Sequence, residues 1–142
     1  AGIGDEHGLI ASLADLSGTS AWSDVVNATV PGGALSTFYG ETNTDNIIAQ
    51  STTGAAELCG AYSNGGFDDW YLPAIWELDM CYNAALWVNS ILGDTDGFHF
   101  SFYWSSTEAT ATAAWYKNFE TGLKNDDAAK GNPARVRAVR RF

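Results

Sequence analysis

The sequence has 142 residues, of which 46% are hydrophobic and 17% charged, so it is long enough for one domain with a real core and too apolar to be disordered. Its net charge is −10: residues 1–116 carry fourteen acidic and no basic side chains, and all seven Lys and Arg residues stand from Lys117 onward. Such an acidic body repels phosphate backbones and anionic lipid surfaces, which argues against nucleic acid as a partner, and no apolar run approaches the length of a membrane span.

The first half of the chain predicts one strand and one helix. Residues 8–13 are apolar enough for a short buried strand, whereas residues 15–40, rich in Gly, Ser, Thr and Asn, indicate a loop with turns. Apolar residues at helical spacing predict a helix over about 44–59, with N-cap side chains available in 42–45. Thr52, Thr53 and Gly54 weaken the middle of this helix.

A second helix follows an extended segment at Asp69–Leu72. Pro73 suits the first turn of this helix, and Gly93 can take the left-handed position at its end. Its predicted apolar face comprises Ile75, Leu78, Tyr82, Ala85 and Leu86.

The last third of the chain predicts a cluster of strands after a polar and aromatic loop at 93–100. The strands cover 102–107, 114–119 and 135–140, and the last has Val136 and Ala138 on one face with Arg135 and Arg137 on the other. Residues 120–134 read as a long polar hairpin loop. This order predicts a single α+β domain over 1–142 with a small antiparallel sheet.

Several short motifs occur in an order that resembles the DUF1566 family, also described as the Legionella collagen-like protein C-terminal domain. These motifs are Asn43–Ile48, Ala55–Cys59, Asp69–Pro73 with Glu77–Leu78, Tyr103–Glu108, Ala114–Trp115, Asn118–Phe119 with Gly122, and Val136–Arg140. The resemblance covers residues 40–142 well and 7–40 loosely. It implies a C-type-lectin-like fold, with two helices packed on a small antiparallel sheet and long loops.

The resemblance also implies a place for the domain. Members sit on bacterial surface proteins, fimbrial or adhesin tips and phage tail fibres, and the collagen-like member is a trimeric adhesin that binds sulfated glycans. A sulfated-glycan binder needs a basic surface, and this chain is acidic, so that ligand does not carry over. The calcium-dependent sugar tripeptides Glu-Pro-Asn and Gln-Pro-Asp are absent from the sequence. The chain starts at Ala1, so we expect a processed form or the C-terminal part of a longer protein.

The motif residues are expected to be scaffold. The large apolar side chains of the motifs alternate with polar residues in short strands, which predicts core positions for Trp70, Leu72, Trp104 and Trp115. Ser105, Ser106 and Thr107 are expected to satisfy backbone groups at a strand end. Arg137 is expected to pair with Glu77 or Asp69.

Two loops, 94–102 and 121–132, are the predicted binding surface, because they place aromatic rings beside polar side chains. The alternative for the first loop is that its aromatic side chains fold into the core. The candidate ligand-binding residues are Asp94, Asp96, Phe98, His99, Phe100, Phe102, Lys124, Asn125, Asp126 and Asp127.

Catalytic and metal chemistry has little support in the sequence. Neither His7 nor His99 has a motif partner, and the chain is not expected to be an enzyme or to carry a cofactor or metal. Asp94-Thr95-Asp96-Gly97 fails the spacing of a calcium-binding EF-hand, which leaves a looser oxygen site there or at Asp126–Asp127 as the alternative. Cys59 and Cys81 are either a disulfide of an oxidising compartment or two small buried apolar residues.

The sequence therefore predicts a non-catalytic extracellular recognition module, either a surface adhesin or a phage receptor-binding domain, whose partner is a cell-surface glycan or protein. The alternative is a structural subunit or cap of a filament, fibre or virion. The basic tail either folds on its own acidic body or docks on a neighbour. If it docks on a neighbour, contacts between basic tails and acidic bodies would hold the assembly together. A homo-oligomer, with a trimer favoured, and a location outside the cell or on a virion complete the prediction.

Overall fold

The structure, a computed structural model, describes residues 6–142 apart from the side chain of Asp94. Within this range two strands, three helices and five strands follow one another in separate blocks, and most strand pairs are antiparallel, which confirms the predicted α+β class. In chain order the elements are β1 (Leu9–Ala11), β2 (Ser17–Ser20), α1 (Gly40–Gln50), α2 (Ala55–Gly60), α3 (Ile75–Asp96), β3 (Phe102–Glu108), β4 (Ala113–Asn118), β5 (Lys124–Ala129), β6 (Ala134–Val136) and β7 (Val139–Arg141).

The larger sheet has the strand order β2-β6-β3-β4-β5. All its neighbours are antiparallel except β3 and β6, which are parallel through Tyr103 and Arg135. A second sheet pairs β1 with β7 near the two ends of the described chain, and Tyr71 bridges to Val139 on β7. The extended segment 69–72 is therefore held between the helices and the end of the chain.

The predicted helix over 44–59 is wrong in one respect: it is two helices, α1 and α2, broken at residues 51–54. Gly54 has a φ of +143°, and a Cβ there would lie 2.5 Å from the carbonyl oxygen of Trp22. Asp24 accepts a hydrogen bond from the backbone N–H of Thr52. The contact with Trp22 and Asp24, which are remote in sequence, explains why the chain leaves the helix here.

Helix α3 confirms the predicted second helix, and Gly93 takes a φ of +75° near its end. Ile75, Leu78 and Ala85 are buried as predicted, but Leu86 is exposed and was wrongly placed on the core face. The backbone of Gly93 is not helical, so the long helix ends there in a kink, as predicted, and a further short turn reaches Asp96.

Three strand predictions need correction. Residues 15–40 contain β2, and the predicted hairpin loop 120–134 contains β5, which pairs with β4 along Ala113↔Ala129 to Lys117↔Lys124. The predicted strand 135–140 is two strands, because the chain crosses from β3 in the large sheet to β1 in the small one. Arg137 lies at that crossing and is buried, so it does not share a solvent face with Arg135.

Two apolar clusters form the core. One contains Trp22, Ile47, Leu72 and Trp104 between α1, α2 and the large sheet, and the other contains residues of α3, β3 and β7. Trp70, Leu72 and Trp104 are buried as predicted, whereas Trp115 is half-buried against the second cluster. Among the described residues, none of the helices is at once long and apolar enough to cross a membrane.

The buried hydroxyls of Ser105 and Thr107 satisfy backbone groups, as predicted, whereas the Ser106 hydroxyl accepts from the side-chain amide of Asn43 at 3.3 Å. Ser105 donates to the carbonyl of Trp115 at 2.7 Å, and Thr107 donates to the carbonyl of Ser36 at 2.9 Å while accepting from the N–H of Ile75 at 3.0 Å. These bonds attach the start of α3 to the end of β3, which places the first turn of α3 beside the segment before α1.

Candidate functional site

The predicted loop 94–102 does not present all its aromatic rings to solvent. Phe98 is buried in the second core cluster, where its ring stacks on Phe119 at 5.3 Å and the guanidinium of Arg137 lies 4.4 Å from its centre. Asn89 also holds its backbone, accepting from the N–H at 2.6 Å. Phe98 is therefore a core residue, and its prediction as a ligand contact is wrong.

The rest of this loop has mixed environments. Phe100 is exposed, and Phe102 is partly exposed with its ring stacked on Tyr116 at 4.6 Å. His99 Nδ1 lies 3.1 Å from Asp15 Oδ2, close enough for an ion pair but outside hydrogen-bond geometry. Asp96 is exposed, and the side chain of Asp94 lies outside the described residues.

The second predicted binding loop contains a strand at the edge of the sheet. Asp126 and Asp127 of β5 are exposed, Asn125 is half-buried opposite Tyr116, and Lys124 Nζ lies 2.7 Å from Asp79 Oδ2. Within the described part of the chain, no three His, Cys, Asp or Glu side chains cluster as metal ligands would. The two predicted loops are linked through Tyr116 of β4, whose ring stacks on Phe102 and which pairs with Asn125 of β5.

A groove that the prediction missed lies between the first turns of α3 and the β1–β7 sheet, and we call it the Trp76 groove. Its volume is about 600 Å³. The residues that line it are His7, Gly8, Leu9, Phe38, Trp76, Glu77, Asp79, Met80, Arg141 and Phe142.

The walls of the Trp76 groove are apolar side chains left open to solvent. Trp76 is 47% exposed and Met80 54%, although both lie on α3, and Phe142 closes the groove from the end of β7. The ring of Phe38 meets Trp76 edge-on at 4.1 Å, and the N–H of Trp76 donates to the carbonyl of Thr37 at 3.0 Å. These contacts hold the aromatic wall in place without a ligand.

Glu77 is the buried carboxylate at the floor of the groove, and its acceptor positions are occupied. Oε1 accepts from the N–H groups of Gly40 at 2.8 Å and Ala74 at 3.2 Å. Oε2 accepts from the hydroxyl of Tyr71 at 2.6 Å and from Arg141 Nη2 at 3.1 Å. Burial, reinforced by the hydrogen bond to Glu77, raises the pKa of Tyr71 above its ordinary value. Glu77 is therefore structural, as predicted.

The predicted ion-pair partners of Arg137 were wrong. Arg137 Nη1 lies 3.1 Å from Asp15 Oδ1, while Glu77 pairs with Arg141 and Asp69 with Arg140. Arg140 lowers the pKa of Asp69 through its hydrogen bond. Asp15 lies in a segment that looked like plain loop, so the sequence contained no signal for this pair.

All seven basic side chains form ion pairs within the chain. Besides the three arginines above, the pairs are Arg135–Asp15, Lys117–Asp79, Lys124–Asp79 and Lys130–Glu108. Of the two alternatives for the basic tail, the structure has the one in which the tail folds on its own acidic body.

The two cysteines are free and buried, and they belong to different core clusters. The structure thus has the second alternative, small buried apolar residues, and not the disulfide. Burial raises the pKa of the Cys59 thiol well above its ordinary value and that of Cys81 to about 12.

A family model described as the Lcl C-terminal domain matches residues 12–140. The chain belongs to this family. The match confirms the resemblance drawn from the motifs, and it includes β2 and Asp15, which lie in the part of the chain that the motifs covered only loosely. No curated protein matches the chain in sequence.

The Lcl C-terminal domain fold also occurs in a solved structure, a fimbrial protein from Bacteroides ovatus ATCC 8483. The TM-score is 0.64 at 16% identity, and the match covers 93% of this chain and 35% of that one. At this identity the likeness concerns the fold, and the chain spans about a third of the fimbrial protein's length.

The groove left a weak signal in the sequence. Trp76 and Met80 are four residues apart on α3, away from the face of Ile75, Leu78 and Ala85. Two large apolar residues beside the core face indicate a second contact surface. Phe38, Arg141 and Phe142 could not be added to it from sequence, because only the fold brings them to this helix.

Proposed function

We propose that this chain is a non-catalytic recognition domain of an extracellular surface protein and that it binds a protein ligand in the Trp76 groove. Membership of the Lcl C-terminal domain family and a fold shared with a fimbrial protein support a surface or adhesion role. The C-type-lectin-like classification that the family implies, and a location on a cell or virion surface, are parts of this proposal.

The observation that carries the proposal is the open apolar groove itself. Trp76, Met80, Phe38 and Phe142 leave large apolar surfaces in water around a concave space of about 600 Å³. Ligand sites in proteins are concave, mostly apolar and largely preformed, and aromatic anchors dominate the energy of protein contacts. An aliphatic or aromatic side chain of a partner would cover the surface that Trp76 and Met80 expose.

The polar groups of the groove favour a protein ligand over a glycan. A sugar ring brings several hydroxyls, and each costs free energy if it is buried without a hydrogen-bond partner. Glu77 is occupied by four partners inside the domain, and Asp79 is engaged by Lys117 and Lys124. Arg141 remains half-exposed at the rim, where it could orient one carboxylate or carbonyl of a peptide.

The same occupation of Glu77 supports a non-catalytic role. A general base needs a free lone pair within reach of the substrate proton, and the Glu77 oxygens accept from backbone N–H groups, a tyrosine and an arginine. His7, at the rim, has no partner in the groove that would orient it as a base in the way catalytic histidines are oriented.

A displayed library of random peptides, selected on the immobilised domain and run beside a glycan array, tests the proposal. We expect enriched peptides with one aromatic or aliphatic anchor, whose affinity falls at least about tenfold on Trp76→Ala or Met80→Glu. Leu35→Ala is the control, since Leu35 is an exposed apolar residue that does not line the groove. Binding that is restricted to glycans, or peptide binding that ignores Trp76→Ala and Met80→Glu, would overturn the proposal.

A further inference from the structure

The middle of α3 carries no charge and projects large apolar side chains into water. From Met80 to Gly93 the sequence has no Asp, Glu, Lys or Arg. Leu86 is 72% exposed, Trp87 78% and Ile91 84%, which makes Trp87 the most exposed of the large aromatic side chains among the described residues. Surface helices of an acidic protein ordinarily place charged side chains at such positions.

These side chains form one continuous face. At about 100° per residue, Trp87 and Ile91 lie about 40° apart on the helix, and Leu86 lies about 100° to the other side of Trp87. The remaining exposed positions of this face are Asn83, Ala84 and Ser90, which are small or neutral, and Met80, two turns before Trp87, which also lines the Trp76 groove. The face is therefore apolar at its centre, neutral throughout and about 16 Å along the helix from Trp76.

From this face we infer that α3 packs against α3 of a second copy of the chain in an antiparallel, two-fold dimer. Leu86, Trp87 and Ile91 expose roughly 500 Å² of side-chain surface on each copy, given that a tryptophan can bury up to about 250 Å². A standard interface buries about 800 Å² on each partner, and the neighbouring Asn83, Ala84 and Ser90 bring the face toward that size.

Charge makes this neutral face the part of the acidic surface where two copies meet with least repulsion, and it favours an antiparallel arrangement. Two copies with a net charge of −10 each repel one another, and a neutral face lets them approach without placing carboxylates in the contact. A parallel pair would set the two helix C-termini and their Asp96 side chains side by side. The antiparallel pair separates them and opposes the two helix dipoles.

This dimer is held by apolar contacts, whereas the assembly predicted from the basic tail would be held by contacts between opposite charges. All seven basic side chains pair with carboxylates of their own chain, so that, apart from Arg141 at the rim of the Trp76 groove, they offer little for a neighbour to bind. An assembly held by charge weakens as salt screens it, whereas an apolar contact between like-charged copies is maintained or strengthened. A helix face that contacts itself closes at two copies, so the contact also differs from a trimer.

Sedimentation velocity on the whole chain tests the inference. We expect a mass near twice 15.2 kDa, unchanged between about 0.1 M and about 0.5 M NaCl. Trp87→Glu and Ile91→Glu should each weaken dimerisation at least about 100-fold, because each buries two like charges across the two-fold axis. Leu35→Glu is the control, an exposed leucine outside α3 and outside the Trp76 groove.

Each outcome decides the question. A monomer at every concentration, a trimer, or a dimer that both Trp87→Glu and Ile91→Glu leave intact would overturn the inference. Circular dichroism of the variants shows whether a loss of dimer reflects unfolding. Because the two substitutions are at different exposed positions, the test remains valid if one variant fails to fold. The groove proposal fails separately, since Trp76→Ala should abolish peptide binding and keep the dimer, whereas Trp87→Glu should do the reverse.

Discussion

Lys130 and Glu108 form an ion pair inside the core, with Nζ 2.7 Å from Oε2 and side chains that are 0% and 3% exposed. The ammonium also donates to the carbonyl of Ala28 at 2.9 Å and lies 4.9 Å from the centre of a Trp22 ring. The carboxylate accepts from the N–H of Val30 at 3.0 Å. The pair thus joins the chain after β5 to the segment before α1.

Removing one partner should therefore be costly. Lys130→Met leaves the Glu108 carboxylate buried without its cation, and we expect the free energy of unfolding to fall by about 3–5 kcal/mol. Urea unfolding measures this. Glu108→Gln combined with Lys130→Met should cost less than the two single changes together, because a neutral amide can still accept from Val30.

Lys124→Met is the matched control for this prediction. Lys124 pairs with Asp79 at 2.7 Å but is partly exposed, and surface pairs contribute about 1 kcal/mol at most. If Lys130→Met cost no more than Lys124→Met, the pair would not be buried in solution in the way the structure shows.

Alkaline pH should destabilise the domain through two buried tyrosines. Burial is the main cause that raises the pKa of both Tyr71 and Tyr103 above the ordinary value of 10.0, with added contributions from Glu77 and Asp15 respectively. The folded state then keeps protons that the unfolded state loses. The stabilisation is complete below pH 10 and is lost as the pH rises from there toward the folded-state pKa.

Thermal unfolding midpoints between about pH 9 and about pH 11 check this prediction. The slope is about 1.4 kcal/mol per pH unit for each tyrosine that stays protonated only in the folded state. Tyr103→Phe should make the decline shallower, while the buried thiols contribute equally in both proteins. An equal slope in wild type and Tyr103→Phe would show that Tyr103 titrates normally.

The two thiols should be inert in the native state and free after unfolding. Burial raises the pKa of both, that of Cys81 to about 12, so little reactive thiolate exists near neutral pH. Titration with a thiol reagent should give almost no reaction in buffer and two thiols in guanidinium chloride without reductant. Cys81→Ser should leave one. A wild-type chain that shows no thiols until reductant is added would establish the disulfide instead.

A single methyl group at Gly40 should disrupt the start of α1. A Cβ there would lie 2.5 Å from the carbonyl oxygen of Leu72 and 2.6 Å from the N of Ala74, and neither backbone atom can move freely. We expect Gly40→Ala to lower the free energy of unfolding by at least about 2 kcal/mol.

Gly131→Ala is the control for Gly40→Ala, because the nearest atom to its Cβ, Cγ1 of Val26, lies 3.7 Å away. Guanidinium unfolding of both variants gives the comparison. Equal stability of the two variants would mean that the segment at Leu72 is not packed on α1 in solution.

Sequence patterns correctly predicted the elements whose formation depends on residues close together in the chain. The apolar spacing around Ile75 and Leu78 predicted helix α3, and Gly93 near its end takes a positive φ, as expected of a glycine there, although its ψ of −170° is extended and not left-handed helical. Trp104 and Leu72 are core residues as predicted, although their neighbours do not alternate: β3 is buried at every position from 103 to 108, and residues 70–72 are all buried. The polar run at 124–129 was missed as a strand, since its residues have little strand preference and pair only because β4 is beside them.

The predicted binding residues also differ in ways that only the tertiary structure determines. Phe98 and Phe100 are two residues apart in one aromatic loop, yet one packs on Phe119 and the other is exposed. Nothing in the local sequence separates them. The Trp76 groove needs Phe38, Trp76 and Phe142 together, and these residues are neighbours only after three distant segments have packed.

By itself, the sequence determined the α+β class, the family, the position of α3 and the charge division between an acidic body and a basic end. These properties depend on composition, on periodicity and on short motifs, which are read along the chain. Tertiary structure alone decided which carboxylate holds each basic side chain, that both thiols stay free, and where apolar surface remains open. Those outcomes depend on distances between residues that are remote in sequence, as between Asp15 and Arg137.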